Sequence, residues 1–370
     1  MILARQGRSQ LRHALLAMLL LTSACSSAHS RGSTGRFAPT APAPLPADAP
    51  YVVMIGPSAG WAVWPSGSSW VLLQTSDRFA HVTNRTPVAV ETGGGLVGAF
   101  LPSRVAVAVG AHERLLRSPL LTWTGGTTWM PSELPDAVSD ARGAVSIGSA
   151  RLTAVTAAGV VVAETTTGWQ RLTDSQALSP DGLHIDSVTW ASSSLGWLTA
   201  HGNAGRPMAF GTSDGGATWM PVPDASGTSV AAFAPCRAGT SWLLPVVDLA
   251  GSITVLRTSD GSHSWERGDT LHVPAGQPAW GCHGNDVWMV GRAGHADHVF
   301  ASGDDAATWA DRGPAPTGLT DLTPTGGGVG FAASTGKHPT LWSVGSDGAK
   351  FTAVPLPGWV ATIGGQPSGA

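Results

Sequence analysis

Thr212-Ser213-Asp214-Gly215-Gly216-Ala217-Thr218-Trp219 decides the fold, because the chain keeps repeating it. Its clearest copies are Thr258 to Trp265 (TSDGSHSW), Ser302 to Trp309 (SGDDAATW) and Thr122 to Trp129 (TWTGGTTW). Three copies are more worn: Thr75 to Val82 (TSDRFAHV), the shortened Thr165 to Trp169, and Ser346 to Phe351. The seven end at 82, 129, 169, 219, 265, 309 and 351, a spacing of 40 to 50 residues. A period in this range marks a solenoid, a propeller or an array.

Each period carries more than its final box. About 22 residues before the box ends, a small residue precedes an aromatic, as in Gly60-Trp61, Gly196-Trp197, Ser241-Trp242 and Val287-Trp288. A short strand-like run such as Ile253 to Leu256 lies between the two, and another such as Ser229 to Phe233 precedes the aromatic, bounded by Gly, Pro and Ser. Such runs are the all-β signature. One period reads as strand, strand, strand, box turn and short strand. Four strands per period and seven periods predict an all-β fold, a seven-bladed β-propeller of four-stranded antiparallel blades. The blades fall at 51–90, 91–136, 137–176, 177–225, 226–272, 273–316 and 317–357. Trp359 to Ile363 reads as an extra strand that closes the ring on the first blade, so the folded body runs over 51–364.

Composition bounds the partners. The 370 residues carry a formal charge of −3, with 12% charged and 42% hydrophobic residues. That suffices for a large core, and Lys occurs only at 337 and 350. A nucleic-acid binder usually shows a basic stripe, and this chain has none.

The first residues read as a targeting segment. Arg5, Arg8 and Arg12 precede the apolar run Ala14 to Leu21, which is too short for a membrane span of about 20 residues. Leu21-Thr22-Ser23-Ala24-Cys25 resembles the bacterial lipobox, with Thr22 where Leu is commoner. The resemblance implies a lipoprotein signal at 1–24, lipidation of Cys25, and an extracytoplasmic location anchored to a bacterial membrane by that lipid. Residues 25–50 are rich in Ser, Ala and Pro and read as an extended tether. Residues 365–370 read as a flexible C-terminus.

Cys236 and Cys282 each stand six residues before a Trp, Trp242 and Trp288, in equivalent places of neighbouring periods. An oxidising compartment permits a disulfide between them; two free buried thiols are the alternative.

The box has a physical account. A short Asp side chain accepts hydrogen bonds from turn N–H groups, Gly supplies positive φ, and Trp buries a large apolar face. SDGGATW resembles the Asp-box (BNR) repeat of sialidase-like and photosystem-assembly-like (Ycf48-type) propellers. In those families the boxes lie at the rim. The resemblance therefore implies structural roles for Asp214, Gly216, Thr218, Trp219, Asp260, Trp265, Asp304 and Trp309.

Chemistry is harder to find. A sialidase needs an Arg cluster, a Tyr nucleophile and an acid; the single Tyr, Tyr51, sits at the edge of the tether, and Arg36-Phe37-Ala38-Pro39 only echoes the family's early motif. Glu occurs at 91, 113, 133, 164 and 266, with nothing in one dimension to pair them. His295, Asp297 and His298, with His283 and Asp286, offer metal-ligand types but read as a solvated hairpin, so no metal and no cofactor is expected. Gly93 to Gly95 and Gly326 to Gly328 lack the Lys of a phosphate loop. Ligands are expected on the face made by the loops joining one blade to the next, at 131–143, 173–187, 220–229, 267–279 and 310–320, together with the hairpins 201–206, 247–252 and 292–298. Trp190 and Trp280 are the candidates for stacking on a ligand there, against a reading in which both are core. The resulting expectation is a non-catalytic binding or assembly scaffold at the cell envelope, with a protein or glycan ligand, membrane contact only through lipid, and no nucleic acid. The alternative is a carbohydrate-active enzyme, a divergent sialidase-like glycoside hydrolase.

Overall fold

The computed structural model describes residues within 49–361, leaving out 67–68, 88–95, 102–103, 110–119, 133–143, 149–150, 156–158, 166–167, 180–182, 191, 203–206, 223–228, 233–234, 249–250, 262–263 and 273–278. They belong to the compact unit Pro39–Ala370. The expectations for the leader, Cys25, the tether up to residue 48 and the tail at 365–370 fall outside the described residues.

The fold is all-β, with 61% strand and 3% helix. Seven antiparallel sheets follow one another along the chain, spanning 51–84, 96–131, 144–174, 183–221, 229–272, 280–314 and 319–354. Six run through four strands in sequence order. In the fifth, Ser229–Ala232 and Cys236–Ala238 both pair with Ser241–Asp248. Pro235 stands between these two short strands, and proline cannot donate to a ladder, which accounts for the break. The outermost strand varies: Thr83–Asn84, Met130–Pro131 and Met220–Pro221 have two residues each, whereas Glu266–His272 has seven.

The Gly-Trp pairs have a packing cause. Gly196 faces Trp190 across the ladder, and a Cβ there would lie 2.5 Å from the Trp190 ring. Gly60 faces Met54 in the same way, at 2.3 Å from its sulfur. Glycine thus leaves room for a large side chain at the end of the first strand, and the Trp that follows points to the other face and is itself buried.

Apolar clusters join the sheets. Val52, Trp64 and Phe79 pack with Phe331 and Leu341. Trp61 and Val63 meet Phe100 and Trp129, while Val155 and Val161 meet Val188 and Trp190. Ala209 and Val222 meet Leu244 and Leu256. Leu243 and Val255 meet Val287 and Met289, and Trp288 and Val299 meet Leu322 and Ala332. Five sheets, those at 51–84, 183–221, 229–272, 280–314 and 319–354, therefore carry a buried cluster on both faces.

The expectation of seven four-stranded blades is corrected here to a propeller of five blades. The physical reason lies in what a repeat counts. Each box marks a turn within one sheet, so counting boxes counts turns, whereas a blade is defined by packing around the axis.

The expected closing strand is also corrected. Gly358–Ala361 form a turn of 3-10 helix, and Val360 is buried in the cluster shared by the first and last sheets. The backbone carbonyl of Val360 accepts a bond from the Ser66 hydroxyl. The proline and glycine of Leu356-Pro357-Gly358 disfavour a continuous strand at this point.

Candidate functional site

The boxes form the turns between third and fourth strands. In the Thr212–Trp219 copy, the Thr212 hydroxyl donates to Asp214 Oδ1 (2.8 Å) and accepts from the Gly216 N–H (2.9 Å). Asp214 also accepts the Thr218 N–H (2.9 Å) and hydroxyl (2.6 Å), and Trp219 Nε1 donates to the Gly216 carbonyl (3.1 Å). Asp260 with Ser264 and Asp304 with Thr308 repeat the carboxylate part. Asp77 takes the N–H and ring of His81 instead. At 122–129 Thr124 stands in the Asp position and bonds the Thr128 N–H (2.9 Å). Two consecutive residues in each of several boxes have positive φ. Gly215 and Gly216 fill these places in one copy, and Asp305 and Ala306 fill them in another, at φ 57° and 62°.

These bonds set the carboxylates' acidity. Thr218's hydroxyl and N–H, then the Thr212 hydroxyl, hold Asp214 down to about 2. Burial pushes Asp304 up, but Thr308 and Ser302 outweigh it and the group also lies at about 2. A depressed carboxylate contributes stability above its unfolded value of 3.8, which is lost as pH falls toward 2. The midpoint of chemical unfolding is therefore expected to fall between pH 4 and pH 2. The double variant Asp214→Asn/Asp304→Asn should show a smaller acid-side fall; an equal fall in both proteins would rule the boxes out as its source.

At the opposite strand ends, the 229–272 and 280–314 sheets lie close together. A Cβ on Gly291 would be 3.0 Å from the His272 carbonyl. Here Arg292 pairs with Asp297 (3.1 Å), and His298 Nδ1 lies 2.9 Å from both Asp311 oxygens. Burial pushes Asp311 up, yet the Gly313 N–H and His298 leave it below the ordinary carboxylate value. Asp248 accepts the Ser252 N–H (2.9 Å), and the Ser252 hydroxyl lies 3.1 Å from His272 Nδ1. Ser252 and His272 have the atoms of a nucleophile and base, but they are a cross-strand pair and Ser252 is 8% exposed. Among the described residues, no group of three or more His, Cys, Asp and Glu converges as metal ligands.

A third region lies where the last sheet meets the first. On the strand Leu319–Gly326, Asp321 Oδ2 accepts the Val52 N–H (2.8 Å) and lies 3.2 Å from the Thr323 hydroxyl. That hydroxyl is 3.0 Å from the Val52 carbonyl, and the Thr320 hydroxyl donates to the Pro50 carbonyl (2.7 Å). Burial pushes the Asp321 carboxyl up to about 6, against the Val52 N–H, Thr323 hydroxyl and Leu322 N–H.

The disulfide is present. Cys236 and Cys282 are bonded, with Cα atoms 6.1 Å apart, and join the fifth and sixth sheets. The Ser241 hydroxyl donates to Asp305 (2.7 Å) between the same sheets, and the Gly239 N–H donates to the Gly284 carbonyl. Trp190 is fully buried, edge-on to Trp219 at 5.9 Å. Trp280 is partly buried against the cluster of Leu243 and Met289. Tyr51 is 5% exposed and packs with Trp61 and Phe100. The segments 267–272 and 310–314, expected as ligand-face loops, lie in outer strands that run longer than the worn repeats suggest, and 296–298 begins the third strand Ala296–Ser302 of its sheet. The expected loops 133–143, 180–182, 203–206, 223–228, 249–250 and 273–278 fall outside the described residues. Asp321 was not singled out from the sequence. Its only signal is the alternation Asp321, Thr323, Thr325, three polar side chains on one face of an inner strand.

These sheets and their packing define a β-propeller, and solved structures of that fold resemble it. The structure described as YCF48 bound to D1 peptide matches with a TM-score of 0.50 and 19% identity, over 79% of this chain and 91% of that one. A GH74 xyloglucanase from Xanthomonas campestris gives 0.57 and 13%, and a prolyl endopeptidase structure 0.59 and 8%. The chain spans about half the length of these last two, 52% and 50%. No family model matches, and no curated protein does.

Proposed function

We propose that this chain is an exported, lipid-anchored propeller that binds a peptide segment of a protein partner without catalysis, on the face opposite the box turns. One observation carries the reading. Among the described residues of that face, Arg292 pairs with Asp297 and His298 lies against Asp311, and no two carboxylates are gathered with clustered arginines. Retaining or inverting glycoside hydrolysis needs such a carboxylate pair across the scissile bond. A face of locally paired side chains suits recognition by shape and hydrogen bonds. A propeller of the same fold, YCF48, has been captured with a D1 peptide. The resemblance of the boxes to Asp-box repeats supports rim roles for Asp214, Asp260 and Asp304, and leaves the other face for the ligand.

The full chain is to be probed with an array of synthetic peptides and, in parallel, with xyloglucan and sialosides. Binding to a discrete peptide set that weakens at least tenfold in His298→Ala/Asp311→Ala supports the reading. Turnover of either glycan overturns it in favour of a carbohydrate-active enzyme. Anchoring has its own test: lipid label should enter the wild type and be lost in Cys25→Ser.

A further inference from the structure

The strongest unassigned feature of the chain is the seam between the last and first sheets. Among the described residues its first sheet is built from 51–84 and its last from 319–354, and no described strand from one end completes the sheet of the other. What joins the inner strands is a set of side chains on Leu319–Gly326 gripping the backbone of Pro50 and Val52.

The geometry of that grip fixes a proton count. Asp321 Oδ2 takes the Val52 N–H and also faces the Thr323 hydroxyl, which faces the Val52 carbonyl. Thr323 has a single hydroxyl hydrogen. With an ionised carboxylate, that hydrogen must choose between Asp321 and Val52, and one acceptor goes short. With a proton on Oδ2, the Asp donates to Thr323, Thr323 donates to the Val52 carbonyl, and the Val52 N–H donates back to Asp321. Every donor and acceptor of the ring is then used once.

We propose that Asp321 is held as a neutral acid in this closed ring of hydrogen bonds, and that the seam is a clasp which tightens on protonation and loosens as the carboxyl ionises. Its enclosed position, which raises the carboxyl to about 6, agrees with that ring. Few groups on the packed elements compete for the proton. Tyr51 lies on the strand across the seam, buried against Trp61. His283 lies beside Gly326, and Asp286 accepts the Gly328 N–H (3.1 Å), both at the far end of the strand. Arg292 is paired with Asp297, and Val329–Ser334 carries no ionisable side chain.

The sign is set by linkage. Opening restores the ordinary carboxyl value of 3.8, so the open state gains relative to the closed one as pH rises from about 4 to about 6. The experiment is amide exchange at Val52 in the full chain, expressed as an opening constant after correction for intrinsic exchange. The constant is expected to rise about tenfold between pH 5 and pH 7 and to level off above 7. In Asp321→Asn it should be flat, since no proton is taken up. A flat wild-type profile overturns the proposal, as does a rise that survives in Asp321→Asn. Thr323→Val gives a second test that keeps the carboxyl: the midpoint is expected to move below the wild-type value, and an unchanged midpoint overturns the ring.

Discussion

Trp190→Ala is expected to destabilise the protein by about 3–5 kcal/mol, the usual cost of emptying a buried Trp site. The ring is fully buried, lies edge-on to Trp219 and covers the bare backbone of Gly196, so its removal leaves a cavity walled by neighbours that cannot all collapse. Denaturant titration should show the midpoint falling at unchanged slope, the sign of lost stability rather than altered compactness. Peptide binding measured where the variant is still folded should match the wild type. A stable variant with lost binding would instead assign Trp190 to a ligand site.

The second large effect concerns the bridge between Cys236 and Cys282. It closes a separation of 46 residues, for which loop entropy gives about 4 kcal/mol. Cys236→Ser/Cys282→Ser is expected to lose stability on that scale, and wild type under reducing conditions should lose a similar amount. The other ties between the two sheets, Ser241 with Asp305 and Gly239 with Gly284, remain in both cases. Unfolding midpoints that are equal with and without reductant would show that these ties, not the bridge, carry the contact.

Both effects trace to sequence signals, but to different degrees. The cysteine pair was legible because equivalent places in adjacent repeats meet in space, and the box turns were legible because Thr, Asp, Gly and Thr supply donors, acceptors and positive φ locally. Trp190 was half legible. Its place on an inner strand could be read, but its burial depends on Gly196 and Trp219, which approach only after the sheet forms. The blade number was not legible because the boxes report turns within sheets and say nothing about how the sheets pack around an axis. The seam was not legible at all: Asp321 and Val52 are 269 residues apart, and neither lies in a repeated motif. The ligand-face readings suffered in a similar way. The length of an outer strand is fixed by its neighbour's ladder, so segments rich in Asp and Gly, such as Ala310–Pro314, continue as strand.

The position of that clasp has a mechanical corollary. The described chain enters at Ala49, and its first inter-sheet attachments are the Pro50 carbonyl and the Val52 N–H and carbonyl. Tension reaching Pro50 from the residues before it would thus load Thr320, Asp321 and Thr323 before the other contacts between the two sheets among the described residues. Tyr51, between those two anchors, pairs with Val63 on the neighbouring strand Gly60–Ser66, so the clasp and the ladder would share the load from the start.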